Sequence, residues 1–228
     1  MLYRYELLSE VQLKHVGNFY DFCDWIDGSD TGSPDKNLKS NLQMDYPNSY
    51  NAWDLIKPSW EENHVVMNFT TPVRQTLPIF ARYLPGHHYD WHCDATLMGG
   101  DEKLRSDVST TIFLSNPDDY EGGELLIELG TEILSVKLPA GWAFSYPTGL
   151  RHKVTEVTDG VRDVALMWHQ SMFRNISDRE AFGRNRLMNR ELSEKFSRED
   201  LQHGGSAWQL QKFVDEEHMY LIRSKAEL

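Results

Sequence analysis

Tyr89-Asp90-Trp91-His92-Cys93-Asp94 reads as a strand. On an extended backbone successive side chains take opposite faces, so His92 and Asp94 point one way and Cys93 the other. One imidazole and one carboxylate on a shared face supply two of the three protein ligands of a 2-His-1-carboxylate iron site. The third is expected from a histidine on a later strand, and His152 is the best candidate. Such a triad leaves coordination positions open for a bidentate ligand and dioxygen, which a closed four-ligand zinc site does not.

Working outward, strand-like stretches cover 77–83, 88–94, 108–115, 123–128, 132–137, 142–146, 152–157 and 162–169. Turn signals separate them, among them Pro85-Gly86, Gly99-Gly100-Asp101, Asn116-Pro117-Asp118-Asp119, Pro139-Ala140-Gly141 and Asp159-Gly160. Short strands without helical crossovers predict a mainly β fold of sandwich or jelly-roll type. One local question stays open. If Asp159-Gly160 closes a two-residue hairpin, Val157 pairs with Arg162, and His152 and Arg162 face opposite sides. If the chain instead crosses between sheets, both point inward.

Helical periodicity flanks this region. Leu7, Leu8, Val11, Leu13, Val16, Phe19, Phe22 and Trp25 suit a helix over 7–25, with Ser9 and Gln12 as a capping box. A turn-rich loop runs from Asp27 to Pro34, and Lys39-Ser40-Asn41-Leu42-Gln43 is extended. A second helix is expected over 48–57, with Pro58 and Pro72 as punctuation. Beyond Asn175, Ser177 and Glu180 suit a capping box, and Phe182, Met188, Leu192 and Phe196 fall on one face. Gly204-Gly205 interrupts the pattern before a stripe of Leu210, Phe213, Val214 and Leu221. Both stripes are expected to pack on the barrel or on a second subunit, as in a homodimer. The expected organisation is a support region 1–76, a jelly-roll domain 77–175 and a helical extension 176–228.

The 228 residues carry a formal net charge of −12, which argues against nucleic acid or an anionic membrane as partner. No apolar run is long enough to span a bilayer. Met1-Leu2-Tyr3-Arg4-Tyr5-Glu6 lacks the basic start and apolar block of a signal peptide. Cys23 and Cys93 read as free thiols in a reducing, cytoplasmic setting.

Arg82-Tyr83-x-x-Gly86-x-x-Tyr89-x-x-His92-x-Asp94 is similar to the metal-binding stretch of the Fe(II)/2-oxoglutarate-dependent, prolyl-4-hydroxylase-like superfamily. An ordered series follows: Arg105-Ser106-Asp107-Val108-Ser109, Thr111-Ile112-Phe113-Leu114-Ser115, Pro117 to Leu125, Lys137 to Gly141, Tyr146-Pro147, Leu150-x-His152-x-Val154, Val157-Thr158-x-Gly160-x-Arg162 and Trp168-x-Gln170-Ser171. The series resembles the bacterial PKHD-type hydroxylases over most of residues 20–175. The resemblance implies a double-stranded β-helix. It also implies hydroxylation of a C–H bond, coupled to conversion of 2-oxoglutarate and dioxygen to succinate and carbon dioxide. Ascorbate (vitamin C) is implied as a reductant that keeps the iron reduced.

Carried over by position, His92, Asp94 and His152 bind iron, and Arg162 binds the C5 carboxylate of 2-oxoglutarate. Tyr83 neighbours the cosubstrate. Many relatives place a tyrosine where Phe113 falls, so Thr111 is the candidate to replace that hydroxyl. His87 and His88 read as loop or solvent-facing residues, and His169 takes the face opposite Arg162. Trp168 shares the face of Arg162. Lys39, Asn41 and Gln43 either line the substrate entrance or pack.

The implied substrate is a peptidyl prolyl or lysyl residue, with a small metabolite linked to iron handling as the alternative. Nucleic-acid demethylases of the superfamily usually carry a second arginine six residues after the first, where this chain has Trp168. A halogenase would lack the carboxylate at Asp94, and a cupin-type enzyme usually has a His-x-His pair. A jelly-roll binding module with an inert metal site is the competing reading from another class.

Overall fold

The computed structural model describes residues 2–31, 36–100, 102–202 and 204–227. Gly32-Ser33-Pro34 of the expected loop and Asp101 of the expected turn lie outside the described residues. Two compact units form, one from 2–63 with 74–170 and one from 64–73 with the chain from Ser171 onward.

The first unit is a jelly roll of two antiparallel sheets. The larger runs in the order Tyr3–Glu6, Trp142–Pro147, Val108–Phe113, Arg162–Ser171, Ile79–Tyr83, Leu42–Met44 and Trp25–Asp27. The smaller runs Glu132–Val136, Leu125–Leu129, His152–Val154, His88–His92 and Lys39–Ser40. Alternation gives both sheets an apolar inner face. Ala81, Phe113, Phe144 and Val164 from the larger sheet share one buried cluster with Leu125, Ile127, Val136 and Val154 from the smaller. The central strand Val108–Phe113 is buried on both faces, which accounts for its run of β-branched residues.

The hairpin over Asp159-Gly160 does not form. Val157–Gly160 pairs with Tyr120–Gly122, and the next strand, Arg162–Ser171, lies in the larger sheet. His152 and Arg162 therefore stand on different sheets. Gly160 permits this crossing: its φ is +75°, and a Cβ there would lie 2.1 Å from the Asp119 carbonyl oxygen. A second crossing occurs near the start of the chain. Lys39–Ser40 pairs with His88–His92 in the smaller sheet, and Leu42–Met44 pairs with Ile79–Tyr83 in the larger.

Two helices complete this unit. Helix α1 spans Glu10–Phe22, and Ser9 and Gln12 form the expected capping box. Helix α2 spans Tyr46–Glu62, capped by the Asp45 carboxylate, which accepts from the Asn48 N–H. Pro58 lies inside α2 and does not end it. An interior proline costs a helix about 3 kcal/mol. Burial of Ala52, Trp53, Ile56 and Trp60 on one face of α2 is large enough to offset it.

The second unit pairs helix α3, Ile176–Lys195, with helix α4, Ser206–Lys225. The α3 cap is Asn175, whose side chain accepts from the Ser177 and Asp178 N–H groups, and the expected Ser177/Glu180 capping box does not form. Arg179 is buried and donates to Ser171 Oγ and the Phe173 carbonyl. Gly183 lets Phe69 approach, since a Cβ there would sit 2.3 Å from that ring. Phe182 and Leu192 are buried on α3, and Val214 and Leu221 on α4, whereas Met188, Phe196, Leu210 and Phe213 are exposed. The expected stripes are thus narrower than their sequence pattern. Among the described residues no helix is long and apolar enough to cross a membrane.

Candidate active site

Strand pairing builds the site. His152 and His92 are register partners across the smaller sheet, and their rings lie 4.3 Å apart between centroids. Asp94 follows two residues after His92, and its Oδ1 lies 3.8 Å from Nε2 of each histidine. One ligand atom from each of the three falls within 4.8 Å of the others, close enough to share a metal ion. The backbone fixes the tautomers. His92 Nδ1 lies 2.7 Å from the Asp90 carbonyl and His152 Nδ1 lies 2.9 Å from that of Leu150. A carbonyl only accepts, so each Nδ1 carries the proton and each Nε2 keeps its lone pair for a metal. Burial, followed by the neighbouring His152, pushes His92 below its usual range, which keeps the ring neutral.

The other carboxylate oxygen of Asp94 is held by the larger sheet. Ser109 Oγ and Trp168 Nε1 both donate to Oδ2 at 2.8 Å. Ser109 and Trp168 are register partners on adjacent strands, so sheet pairing aims both donors at one oxygen. Oδ1 is left facing the two imidazoles. The arrangement favours a carboxylate that binds metal through one oxygen.

Arg162 lies deeper, 1% exposed. Its register partner is Tyr83, and its guanidinium sits 4.9 Å from the Tyr83 ring centroid and 5.8 Å from that of Phe113. Nε, Nη1 and Nη2 are buried and make no hydrogen bond of good geometry among the described residues. The Tyr120 hydroxyl is likewise buried without such a bond; burial raises it above the usual phenol range, and the neighbouring guanidinium opposes that rise. Gly123 makes room, since a Cβ there would lie 2.9 Å from Arg162 Cδ. A buried guanidinium with unused donors calls for an anion, and its planar fork matches a carboxylate.

One cavity of about 380 Å³ connects these parts. Its lining includes His92, Asp94 and His152, then Tyr83, Thr111, Tyr146 and Arg162, and at another side Thr31, Lys39 and Gln43. Burial raises the Tyr83, Tyr89 and Tyr146 hydroxyls above the usual phenol range, Tyr89 to about 12, so all three stay neutral.

With this geometry established, similarity to known proteins can be weighed. Residues 78–170 match the 2OG-Fe(II) oxygenase superfamily. A PKHD-type hydroxylase of Xanthomonas campestris pv. campestris strain 8004 is 37% identical over 182 residues, covering 76% of this chain and 80% of the relative. The chain belongs to the PKHD-type hydroxylases. A family member from Methylobacillus flagellatus is 36% identical over 180 residues, covering 76% of this chain and 79% of its own.

Among solved structures, the fold is shared with a Pseudomonas putida prolyl-4-hydroxylase, at TM-score 0.55 and 18% identity over 75% of this chain and 92% of that one. It is also shared with HygX of Streptomyces hygroscopicus, solved with nickel and 2-oxoglutarate, at TM-score 0.53 and 14% identity over 75% and 84%. The hydroxylase is thus an enzyme of the 2OG-Fe(II) oxygenases, with Fe(II) as cofactor and 2-oxoglutarate as cosubstrate. The donor set fits both groups: two imidazoles and a carboxylate for iron, and a buried guanidinium with unused donors for a dicarboxylate.

The residues singled out in the sequence converge on this cavity. His92, Asp94, His152, Tyr83, Thr111 and Arg162 all line it, as do Lys39 and Gln43, whereas Asn41 does not and is buried beside Gly28 and Tyr83. His169 is buried against Trp60. His87 Nδ1 accepts from the Leu84 N–H. Two residues, Tyr146 and Ser109, escape the sequence reading as site groups, and Trp168 reads there as core near the site rather than as a partner of Asp94. Tyr146 sits edge-on to His152 at 5.3 Å, directly across from Ser109. Ser109 and Trp168 hold Asp94. Alternation places all three on inner faces, but that they reach one carboxylate depends on cross-strand register, which the sequence does not state.

Lys39 gives the site a pH signature. Burial lowers its ammonium from the ordinary 10.5 to about 8, opposed by Asp94 and Asp27. The folded chain thus releases this proton before the unfolded chain does. The charge costs stability in full below about pH 8, and the cost fades as pH rises toward 10.5. Lys39→Met is therefore expected to be more stable than wild type at about pH 7, with the gap closing by about pH 10, as urea unfolding would measure. A gap that does not change with pH contradicts this.

Proposed function

We propose that this hydroxylase oxidises a C–H bond of a peptidyl prolyl residue, or of a lysyl residue, with release of succinate and carbon dioxide. His92, Asp94 and His152 hold the iron, and Arg162 binds the C5 carboxylate of 2-oxoglutarate. Tyr83 and Thr111 line the berth of the cosubstrate. The observation that carries the reading is the unpaired, buried Arg162 guanidinium in the same cavity as the His92–Asp94–His152 cluster. Iron, when bound, supplies activation of dioxygen coupled to decarboxylation of the cosubstrate. The chain orients everything else. Asp90 and Leu150 carbonyls aim the imidazoles, and Ser109 and Trp168 turn one carboxylate oxygen toward the ion. Leu125, Val154 and Leu166 wall the cavity against water.

For the substrate, support comes from the family name and from the fold shared with prolyl hydroxylases. One of these, from Trichoplax adhaerens, was solved with a hypoxia inducible factor peptide fragment, at TM-score 0.56 and 13% identity over 74% of this chain and 82% of that one. The test is incubation with Fe(II), 2-oxoglutarate and peptide pools containing proline or lysine. Succinate release in step with one added oxygen on a peptide residue is expected. Oxygen appearing only on free metabolites would overturn the peptide assignment.

A further inference from the structure

The chain crossing at residues 39–43 sets a cation into the cavity wall beside the metal site. Lys39 is 6% exposed. Its Nζ donates to the Thr31 carbonyl at 3.1 Å and to Thr31 Oγ1 at 2.7 Å. It also lies 5.3 Å from the centroid of the Tyr89 ring, which stacks on His92 at 3.5 Å. Two contacts therefore link the ammonium to a proposed iron ligand.

The hydrogen bonds in this wall leave specific capacity unused. Thr31 Oγ1 accepts from Lys39 and from Gln43 Nε2 at 2.7 Å, and donates to the Gly28 carbonyl at 2.9 Å. One donated and two accepted bonds saturate a hydroxyl. An ammonium has three N–H groups, so Lys39 keeps one. Gln43 keeps its carbonyl oxygen and a second amide N–H. Both side chains line the cavity.

Charge points to what fills this capacity. Among the described residues, the charged side chains of the cavity lining are Lys39, Asp94 and Arg162. In the loaded enzyme the ferrous ion and the cosubstrate dianion cancel, as do Asp94 and Arg162. Lys39 is left over. Among the described residues no carboxylate lies within ion-pairing distance of its Nζ, and Asp94 and Asp27 act on it only at longer range. An ammonium retained in a wall of this kind without a counterion is costly unless an incoming anion uses it.

We propose that Lys39, with Gln43 beside it, receives a carboxylate of the prime substrate, so the hydroxylated molecule carries a carboxylate close to its reacting carbon. This rests on the oxygenase chemistry proposed above; a peptide C-terminus would narrow its peptide assignment, and a free amino acid would replace it. A free amino acid and the C-terminus of a peptide present the same chemistry.

The test uses enzyme loaded anaerobically with Fe(II) and 2-oxoglutarate, as wild type, Lys39→Met and Lys39→Arg. The probes are L-proline and N-acetylglycyl-L-proline, each beside its C-terminal amide. Perturbation of the visible charge-transfer band is followed on addition, and stimulated succinate release is followed in air. Each productive acid is expected to act at a concentration about tenfold or more below that of its amide. Lys39→Met should erase that preference and Lys39→Arg should retain it, which separates lost charge from a damaged fold. The stronger acid tells the free amino acid from the peptide terminus. Amides matching acids, a preference surviving in Lys39→Met, or no response to either acid would overturn the proposal. A wild type without the band before any probe is added would instead overturn the oxygenase reading, and this proposal with it.

Discussion

Replacing Arg162 with methionine is expected to weaken 2-oxoglutarate binding by roughly thirtyfold or more while leaving the ligand-free protein more heat-resistant. The two effects share one cause. The guanidinium is 1% exposed and makes no hydrogen bond of good geometry among the described residues, with the Tyr83 and Phe113 rings and the Tyr120 hydroxyl beside it. In the free protein that is a buried charge without a bound anion, and the apolar, shorter methionine removes the penalty. In the complex the same group makes charge-assisted bonds to a carboxylate, and truncating such a partner costs about 2–5 kcal/mol. Titration calorimetry measures the affinity and thermal unfolding the stability. Arg162→Lys should recover only part of the affinity, because an ammonium lacks the planar fork. Equal affinity in wild type and Arg162→Met would remove this residue from the cosubstrate site.

Trp168→Phe is expected to lower metal affinity by about 10- to 100-fold, the range typical of a lost partner to a ligand. The ring is largely kept, so packing changes little, while Asp94 Oδ2 loses one of its two 2.8 Å bonds. Ser109→Ala should act in the same direction through the other bond. Because both variants free the same oxygen, the double variant should not be additive. Manganese titration followed by electron paramagnetic resonance reads the affinity without turnover. Unchanged affinity in both single variants would mean that the clamp does not orient Asp94.

Much of the site was legible because strand alternation and a motif series each speak directly through residue type. His92 and Asp94 share a face by period, and the all-β run from residue 77 onward predicts sheets rather than a βαβ array. The choice between a hairpin and a crossing at Asp159-Gly160 was not legible. Gly160 suits either outcome, and pairing of Val157–Gly160 with Tyr120–Gly122 decides it through contacts distant in sequence. Pro58 misled as punctuation because local propensity yields to the buried face of α2. The short strands Tyr3–Glu6 and Trp25–Asp27 carry too few residues for a periodic signal and exist through their partners. The Asp94 clamp belongs to the same class, since Ser109 and Trp168 lie 59 residues apart and meet only through register.

The central claim is that one cavity joins an iron site of His92, Asp94 and His152 to a cosubstrate site at Arg162. The most direct measurement is anaerobic addition of Fe(II) and then 2-oxoglutarate to wild type and His152→Ala, recording the weak visible charge-transfer band of a chelated 2-oxo acid. A band that appears in wild type only when both are present, and is lost in His152→Ala, is the predicted result. A folded wild type that binds Fe(II) and 2-oxoglutarate without producing the band, or a band undiminished in His152→Ala, would contradict the account.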